Sequence, residues 1–263
     1  MPEGHTIHRI ARDHQKWFAG QKLAVSSPQG RFLEEATRLN GRKLQAVSAH
    51  GKHLFYHWQR NLITHVHLGL YGKFRVHRNA VPDPRGAVRV RMIGTERAFD
   101  LVGPNCCELL DQKQFTLLRT RLGEDPLRDD ASADKVWQTL QKSRSAIGSV
   151  LLNQSVIAGV GNVYRAEILY LLQIHPLFPA NRLSRETFDK LWELTGRLLR
   201  IGVQHNRIIT AGFNEKGQVP RGLKAAERLN VYKRTRCPTC LTPVTTLVLA
   251  NRKMYACLHC QKL

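Results

Sequence analysis

The spacing of apolar residues divides the chain into an N-terminal helix, a long β-rich stretch and a group of further helices. Apolar positions over residues 7–18 recur every three or four residues, which predicts an amphipathic helix ending near Gly20. From residue 22 to about 103 the pattern changes to short alternating runs separated by glycines, most clearly over 87–92. Several short strands with glycine turns are typical of a β-sandwich or barrel.

The second half of the chain predicts a helical domain. Residues 122–130 combine glycine, proline and acidic residues, which is typical of a linker. Ser132 and Ser184 are placed to cap helices, because a serine hydroxyl accepts from the free N–H groups of a first turn. Further helices are predicted over 145–153 and 163–172, and the polar stretch 203–225 predicts a mobile loop.

The strong excess of basic residues indicates what kind of partner the chain binds. Lysine and arginine number 41 against 20 acidic residues, a formal net charge of +21. This excess indicates a polyanionic partner, nucleic acid first and an anionic membrane surface second. There is no apolar run of about 18 residues to span a membrane, and polar residues interrupt any signal-peptide pattern. We expect a cytoplasmic protein whose six cysteines are reduced, as metal ligands or isolated thiols.

The first residues carry a candidate reactive group. Removal of Met1 would leave Pro2 as a free secondary amine. An α-amino group titrates near pH ~8, so a usable fraction is unprotonated at neutral pH and can attack a carbonyl carbon. Glu3 can shuttle protons beside it. The alternative is an ordinary second residue followed by a carboxylate that suits a helix N-terminus.

Glycine turns in the β-rich stretch hold two further candidates. Lys52 follows a glycine at the start of a predicted strand. It is a candidate for a chemical role, and the alternative is an ordinary solvated lysine on the surface. Leu70 and Tyr71 lie between two glycines, and an exposed turn there could wedge them between bases. On their own they are better explained as core residues.

Histidines are also frequent in this stretch, at His53, His57, His65 and His67. His65 and His67 share one face of a predicted strand. Because no carboxylate lies at a supporting spacing in the sequence, we do not expect a metal there. The adjacent Cys106 and Cys107 are expected to be packed thiols.

A glycine turn over residues 157–162 precedes a predicted helix. The free N–H groups of a helix N-terminus bind anions. In so basic a chain the expected anion is a DNA phosphate, with the Asn162 amide as an additional donor. The two glycines do not make a dinucleotide fingerprint, because no strand precedes them and no third glycine follows.

The C-terminal cysteines form the strongest local signal. Two Cys-x-x-Cys pairs with 16 residues between them supply Cys237, Cys240, Cys257 and Cys260. This spacing predicts a tetrahedral four-thiolate zinc site. Four cysteines leave no open coordination position, so the zinc is expected to be structural. Strands over 245–249 and 253–256 place Arg252 at a hairpin tip, where it could reach a reaction centre or remain a solvated arginine.

Together these features resemble the formamidopyrimidine-DNA glycosylase/endonuclease VIII family over nearly the whole chain. The matching motifs, in the family's order, are Met1-Pro2-Glu3-Gly4, Gly51-Lys52, Ile157-Ala158-Gly159-Val160-Gly161-Asn162 and the four-cysteine hairpin. With glycine at position 4, the start of the chain resembles the endonuclease VIII branch of this family, in its actinobacterial type. The resemblance implies an α+β multidomain fold, with an N-terminal β-sandwich and flanking helix (1–127), a helix–two-turn–helix domain (128–225) and a zinc finger hairpin (226–263).

The resemblance also implies roles for individual residues. Pro2 matches the nucleophile that attacks C1′ of the damaged nucleotide, and Glu3 matches the proton donor. Lys52 matches the general acid of the excision and lyase steps. Arg252 matches the arginine that contacts the phosphate beside the lesion. The implied activity is a bifunctional DNA glycosylase/AP lyase that removes oxidised bases, pyrimidines in particular, and nicks the strand by β,δ-elimination.

Five further positions match DNA contacts of the family. Gly69, Leu70 and Tyr71 occupy the void-filling positions, and Arg121 and Asn162 match phosphate contacts. Gly69 departs from the family's best-known endonuclease VIII, which has glutamine, so the preference for the opposite base is left open. The implied state is a monomer with one structural Zn²⁺ and no small-molecule cofactor. Its implied partner is damaged double-stranded DNA in the bacterial cytoplasm, at the nucleoid when bound.

Two alternatives remain open at the level of sequence. A non-catalytic basic zinc-ribbon protein that binds nucleic acid would explain the charge and the cysteines. It would not explain why Pro2, Glu3 and Lys52 all occupy catalytic positions. The second alternative keeps the same chemistry but prefers 8-oxoguanine or abasic sites; the stretch 203–223 lacks a recognisable lesion-capping loop, which favours oxidised pyrimidines.

Overall fold

The computed structural model describes residues 2–78, 80–214 and 216–263. They form two compact units. The first contains Pro2 and Ile7–Arg121, and the second contains Glu3–Thr6 and Leu122–Leu263. Within the described residues no helix has the length and apolar character that a membrane span requires.

The first unit is built from two antiparallel sheets of four strands each. Its strands are β1 (Ala24–Ser26), β2 (Leu44–His50), β3 (His53–Trp58), β4 (Leu62–His67), β5 (Lys73–Arg78), β6 (Val88–Ile93), β7 (Arg97–Val102) and β8 (Cys106–Leu110). One sheet has the order β1-β6-β7-β5 and the other β2-β3-β4-β8. Its helices are α1 (Gly4–Phe18), of which this unit contains the part from Ile7 onward, α2 (Leu33–Leu39) and α3 (Gln112–Thr120).

Both sheets contribute to one hydrophobic core, which also includes the apolar stripe of α1. Trp58 from one sheet and Phe99 from the other are fully buried in it. His14 of α1 stacks on Phe99, with ring centroids 4.7 Å apart, and its Nδ1 lies 2.7 Å from the Tyr56 hydroxyl. Burial lowers the pKa of His14 to about 3. The unit is therefore a β-sandwich, and the apolar side of its flanking helix α1 belongs to the sandwich core.

The second unit combines helices with a short hairpin. Its elements are α4 (Ala133–Gln141), α5 (Ile147–Val150), α6 (Asn162–Leu171), α7 (Arg185–His205), β9 (Thr245–Leu249) and β10 (Arg252–Ala256). Met254 and Cys257 of the hairpin region are buried in the same core as the helices. The buried carboxylate of Glu167 on α6 accepts from the N–H groups of Val231 and Tyr232, at 2.9 and 2.8 Å. These contacts connect the segment before Cys237 to α6.

The expected α+β fold, with an N-terminal β-sandwich, helices and a four-cysteine hairpin, is confirmed. Several elements differ from the sequence prediction. Helices α2 and α3 were not predicted, and the predicted helix over 145–153 contracts to Ile147–Val150. The expected loop from 203 begins three residues late, because α7 extends to His205. The predicted linker is tied into the second unit, since Gly123 donates to the Gln154 carbonyl and Ala158 donates to that of Glu124.

Candidate functional site

The Glu3 side chain lies at the N-terminus of α6. Its carboxylate accepts from the backbone N–H groups of Gly161 at 2.8 Å, Val163 at 2.9 Å and Tyr164 at 3.4 Å. Glu3 is fully buried. The first turn of a helix offers unpaired N–H groups and a positive dipole end, so it stabilises a carboxylate in this position. The anion at this glycine turn is therefore Glu3, and the expectation of a DNA phosphate on these N–H groups was wrong.

Glycine is required at two points of this contact. A Cβ on Gly161 would lie 2.3 Å from Cδ of Glu3. A Cβ on Gly4 would lie 2.8 Å from Cα of Gly159, and the Gly4 N–H donates to the Gly159 carbonyl at 2.8 Å. The glycines of the 157–162 turn thus allow the start of the chain to approach the backbone before α6, and they fix the direction of the Glu3 side chain.

Asn162, the first residue of α6, connects the helix to the hairpin. Its Nδ2 donates to the Lys253 carbonyl at 2.8 Å, and its Oδ1 accepts from Arg165 Nη2 at 2.7 Å. The side chain is buried. The predicted phosphate contact of Asn162 stays a prediction; in this structure its amide is engaged with the hairpin.

Arg165 completes this connection. It is wholly buried, and its guanidinium donates to the carbonyls of Gly148 at 2.8 Å and Leu249 at 3.2 Å. The Arg252 carbonyl lies 3.5 Å from Arg165 Nη2. Burial, followed by the charge of Arg252, lowers the pKa of Arg165 to about 10. Arg165 therefore acts as a buried anchor for the backbone at the hairpin tip.

The side chain of Arg252 is exposed at that tip, as the sequence predicted. Ala250 and Asn251 make the turn with positive φ values of 54° and 56°, and Arg252 is the first residue of β10. The Arg252 carbonyl is thus held by α6 while the residue is exposed, and its contact with a phosphate stays a prediction.

Lys52 lies in a two-residue hairpin turn of the first unit. His50 and His53 are paired across β2 and β3, so Gly51 and Lys52 alone make the connection. Gly51 has a φ of +56°, which suits glycine at the first position of such a turn. Lys52 is half-buried, and Pro2, also half-buried, belongs to the same unit.

The turn between β4 and β5 exposes two large side chains. Leu70 is 57% exposed and Tyr71 is 85% exposed, so the alternative that they are core residues was wrong. Gly69 has a φ of +65°, and a Cβ there would lie 2.7 Å from Cβ of Asn105. Glycine at position 69 therefore has a local steric reason; the void-filling role of Gly69, Leu70 and Tyr71 stays a prediction. Arg121, at the end of α3, is exposed.

The four C-terminal cysteines lie close enough to share one metal ion. Cys237 Sγ is 3.8 Å from Cys260 Sγ, and Cys240 Sγ is 3.4 Å from Cys257 Sγ. Thiolates on one tetrahedral zinc, each about 2.3 Å from it, lie about 3.8 Å apart, so this donor set fits zinc. The hydroxyls of Tyr170 and Thr242 lie 3.3 Å from Cys237 Sγ and Cys257 Sγ. They are placed to support the sulfur ligands.

The histidines of β3 and β4 have a carboxylate neighbour that the sequence spacing did not indicate. Strand β8 pairs with β4 and places Glu108 opposite His65. His65 Nδ1 lies 2.8 Å from the Glu108 carboxylate, and Cys106 Sγ lies 3.8 Å from the same nitrogen. The expectation that no carboxylate supports these histidines was therefore wrong. Cys106 is half-buried beside His65, while Cys107 packs against the sandwich core.

Sequence reasoning missed two residues of these sites, Arg165 and Glu108. Arg165 follows Asn162 by three residues on α6, and an arginine among the mostly apolar residues of this helix could have marked it. Glu108 could not have been assigned, because its place beside His65 depends on the pairing of two residues that are 43 positions apart in the chain. Strand register of this kind is set by tertiary structure.

Family models match most of the chain. The model described as the formamidopyrimidine-DNA glycosylase N-terminal domain matches residues 1–116. The model described as the formamidopyrimidine-DNA glycosylase H2TH domain matches residues 122–213.

Curated relatives extend over the full length. The chain is 43% identical to endonuclease 8 1 of Mycobacterium tuberculosis over 267 residues, covering 99% of this chain and 100% of the relative. It is 32% identical to the formamidopyrimidine-DNA glycosylase of Herpetosiphon aurantiacus over 274 residues, with coverage of 99% and 100%.

Solved structures share the fold. The Lactococcus lactis Fpg (MutM) in a complex with DNA containing N7-benzyl-Fapy-dG gives a TM-score of 0.82 at 23% identity, covering all of both chains. The same protein with DNA containing an abasic site also gives 0.82 at 23% identity, with coverage of 99% and 100%.

Proposed function

Because the chain belongs to the formamidopyrimidine-DNA glycosylase/endonuclease VIII family of DNA glycosylases, we propose that it is a bifunctional glycosylase/AP lyase that removes oxidised pyrimidines from double-stranded DNA. The observation that carries this proposal is the anchoring of Glu3. Three backbone N–H groups at the start of α6 hold the carboxylate of the residue next to Pro2. A solvated N-terminus would need no such buried anchor, whereas a nucleophilic terminus needs a fixed proton carrier beside it.

In the first step the secondary amine of Pro2, freed by removal of Met1, attacks C1′ of the damaged nucleotide. The N–C1′ bond forms, the glycosidic bond breaks and the base leaves with the bonding electrons. Lys52 supplies the proton that the departing base takes up. Glu3 accepts the proton of the resulting ammonium and transfers it to O4′ as the sugar ring opens, which leaves an iminium between C1′ and Pro2.

The iminium is an electron sink that acidifies the protons on C2′. Loss of one of them breaks the C3′–O bond by β-elimination and releases the 3′ phosphate. Loss of a C4′ proton then breaks the C5′–O bond by δ-elimination. Both leaving groups are phosphates, so an exposed arginine that contacts the phosphate next to the lesion lowers both barriers. We assign this role to Arg252.

DNA binding in this proposal rests on charge and on exposed side chains. The net charge of +21 favours a polyanion. Leu70 and Tyr71, both exposed, fill the gap that an everted nucleotide leaves. Arg121 and Asn162 contribute phosphate contacts, and Gly69 adds no side chain toward the orphaned base. The Lactococcus relatives of the same fold were crystallised with lesion-containing DNA, which supports this mode of binding.

We propose that Cys237, Cys240, Cys257 and Cys260 hold one structural Zn²⁺. When bound, the ion contributes folding free energy to the hairpin and no open coordination position for catalysis. The chemistry described above belongs to Pro2, Glu3, Lys52 and Arg252.

The substrate assignment is tested by single-turnover cleavage of duplexes that contain an oxidised pyrimidine, 8-oxoguanine or an abasic site, each placed opposite all four bases. We expect the fastest base release for the oxidised pyrimidines. Faster release of 8-oxoguanine would move the protein to the other substrate class. Cleavage of abasic sites alone would show that the protein is a lyase without glycosylase activity. Binding of all duplexes without cleavage would favour the non-catalytic zinc-ribbon alternative.

A further inference from the structure

One face of the β2-β3-β4-β8 sheet collects side chains that ligate metals. His53 pairs directly with His67 across β3 and β4. On the other side of β4, His67 pairs with Cys106 and His65 pairs with Glu108. Directly opposed residues of antiparallel strands share a face, and residues two apart on one strand also share a face. The register thus places all five side chains on the same side of the sheet.

Three of these side chains converge on a single point. His65 Nδ1 lies 2.8 Å from Glu108 Oε1 and 3.8 Å from Cys106 Sγ. One ligand atom from each of the three residues lies within 4.8 Å of the other two. Ligands that share a tetrahedral zinc ion at about 2.0–2.3 Å are separated by about 3.2–3.8 Å. The three atoms therefore need only small rotations to surround one ion.

We propose that His65, Cys106 and Glu108 form a second metal site, for a borderline divalent cation such as Zn²⁺ or Co²⁺. Nitrogen, thiolate sulfur and carboxylate oxygen are the ligand types that such ions accept together. Three protein ligands leave a fourth position for water. This site lies in the sandwich unit and is separate in sequence from the four cysteines of the hairpin, and it goes beyond the proposed repair function.

The fourth side chain of the face, His53, supports this arrangement. Its Nδ1 lies 2.8 Å from Nε2 of His65. A histidine that coordinates a metal through one ring nitrogen donates the N–H of the other to a neighbour, which fixes the tautomer. Nδ1 of His53 accepts that hydrogen bond when the His53 ring carries its proton on Nε2. The second sphere of the site is thus already built.

The site is accessible from solvent on one side. The Glu108 side chain is 48% exposed, while that of His65 is 4% exposed. The thiolate is the form of Cys106 that binds a metal, so the thiol proton passes to solvent when the ion binds. A mixed site of this kind binds less tightly as pH falls.

Strand alternation provides a matched control. Cys107 is the next residue of β8, and its side chain packs against the sandwich core on the opposite face. Cys106→Ser and Cys107→Ser remove the same thiol from adjacent positions, but only the first removes a ligand of the proposed site. Glu108→Gln tests the carboxylate at a half-exposed position and keeps the size of the side chain.

The experiment is a Co²⁺ titration of the full-length protein with its hairpin zinc in place, followed by absorption spectroscopy and elemental analysis. We expect one equivalent of Co²⁺ to bind with a thiolate-to-cobalt charge-transfer band, without release of zinc. The band should persist in Cys107→Ser and disappear in Cys106→Ser. Glu108→Gln should weaken binding by about 10-fold or more, the loss typical of a ligand or its supporting partner.

Several results would overturn the proposal. Absence of Co²⁺ binding to the native chain would do so. So would a band of undiminished intensity in Cys106→Ser, or zinc release in proportion to the cobalt bound, because cobalt would then occupy the hairpin cysteines. None of these outcomes depends on glycosylase activity, so the metal site and the proposed function fail or succeed independently.

Discussion

At the scale of single residues, the start of the chain is governed by the contact between Glu3 and the first turn of α6. A carboxylate with three N–H donors is held in one orientation, and this orientation depends on the missing side chain of Gly161. The sequence indicated both the Pro2-Glu3 pair and the anion-binding turn. It could not indicate that one is the ligand of the other, because they are separated by about 160 residues of chain.

The substitution Gly161→Ala tests this contact. Its Cβ would lie 2.3 Å from Cδ of Glu3, while φ at Gly161 is −124°, a value that alanine adopts freely. We expect the carboxylate to be displaced and single-turnover base excision to fall by about 10- to 1,000-fold, with DNA affinity changed by less than about threefold. Single-turnover kinetics and a binding titration with an abasic-site analogue measure the two quantities.

Gly196→Ala in α7 is the matched control. There the nearest atom to an added Cβ is the flexible end of Arg200, at 3.2 Å, and alanine is favoured in a helix. This variant should retain native activity. Equal activity of Gly161→Ala and the native chain would show that the position of Glu3 is not critical.

His14 makes a residue-scale prediction about acid stability. Its folded-state pKa of about 3 lies below the unfolded value of about 6.5. Between these two values the unfolded chain binds a proton that the folded chain does not, so the free energy of unfolding falls as pH falls. His14→Phe removes this effect. At pH 7 the variant should be less stable by about 1–3 kcal/mol, because the buried Tyr56 hydroxyl loses its partner.

Urea unfolding at pH 7 and at pH 4.5 measures the prediction, with His8→Phe on the same helix as the control. The deficit of His14→Phe relative to the native chain should shrink or reverse at the lower pH. A deficit that is the same at both pH values would show that His14 is not the titrating group.

At the scale of elements, the sequence predicted the helices and strands that are marked by residues close together in the chain. The amphipathic α1, the Ser132 and Ser184 caps and the cysteine hairpin were all found at or near their predicted positions. Helix α2 was missed because it is only seven residues long and buries only Ala36 and Leu39. The buried Arg165 and the Glu108–His65 pair were missed because each depends on how separate elements come together.

The hairpin makes a prediction at this scale. Cys257→Ser removes one of the four proposed zinc ligands, and a structural zinc site contributes folding free energy directly. We expect loss of zinc by elemental analysis and increased hydrogen exchange over 245–260. Because Arg252 lies on this hairpin, cleavage of lesion-containing duplexes should fall by at least about 10-fold.

Leu258→Ser, at the exposed neighbouring position, is the control and should retain zinc. Full cleavage activity in zinc-free Cys257→Ser would contradict the role assigned to Arg252.

At the scale of the whole molecule, the family, the fold class and the enzyme class predicted from the sequence are confirmed by the matched family models, by full-length relatives and by solved structures of the same fold. The sequence was sufficient for these because four separate motifs agree in order and spacing. It was insufficient for the proposed second metal site, because His53, His65, Cys106 and Glu108 come together only after three strands pair in register.

The excess of positive charge leads to a prediction for the complete protein. Each phosphate contact releases condensed counterions, so affinity falls with salt in proportion to the number of contacts. For about five or more contacts, doubling the salt concentration should weaken binding to an undamaged duplex by more than about tenfold. Fluorescence anisotropy across a salt series measures the slope. A slope near zero would show that the charge does not serve DNA binding.

The central claim is that the amine of Pro2 forms the covalent intermediate. It is tested most directly by borohydride reduction of the protein on an abasic-site duplex, with Met1 removal checked by intact-mass spectrometry. The native chain should give a stable protein–DNA adduct that maps to Pro2, and Pro2→Gly should give none. If the native chain without Met1 gave no adduct, or if the adduct persisted in Pro2→Gly and mapped to a lysine, the N-terminal amine would not be the nucleophile.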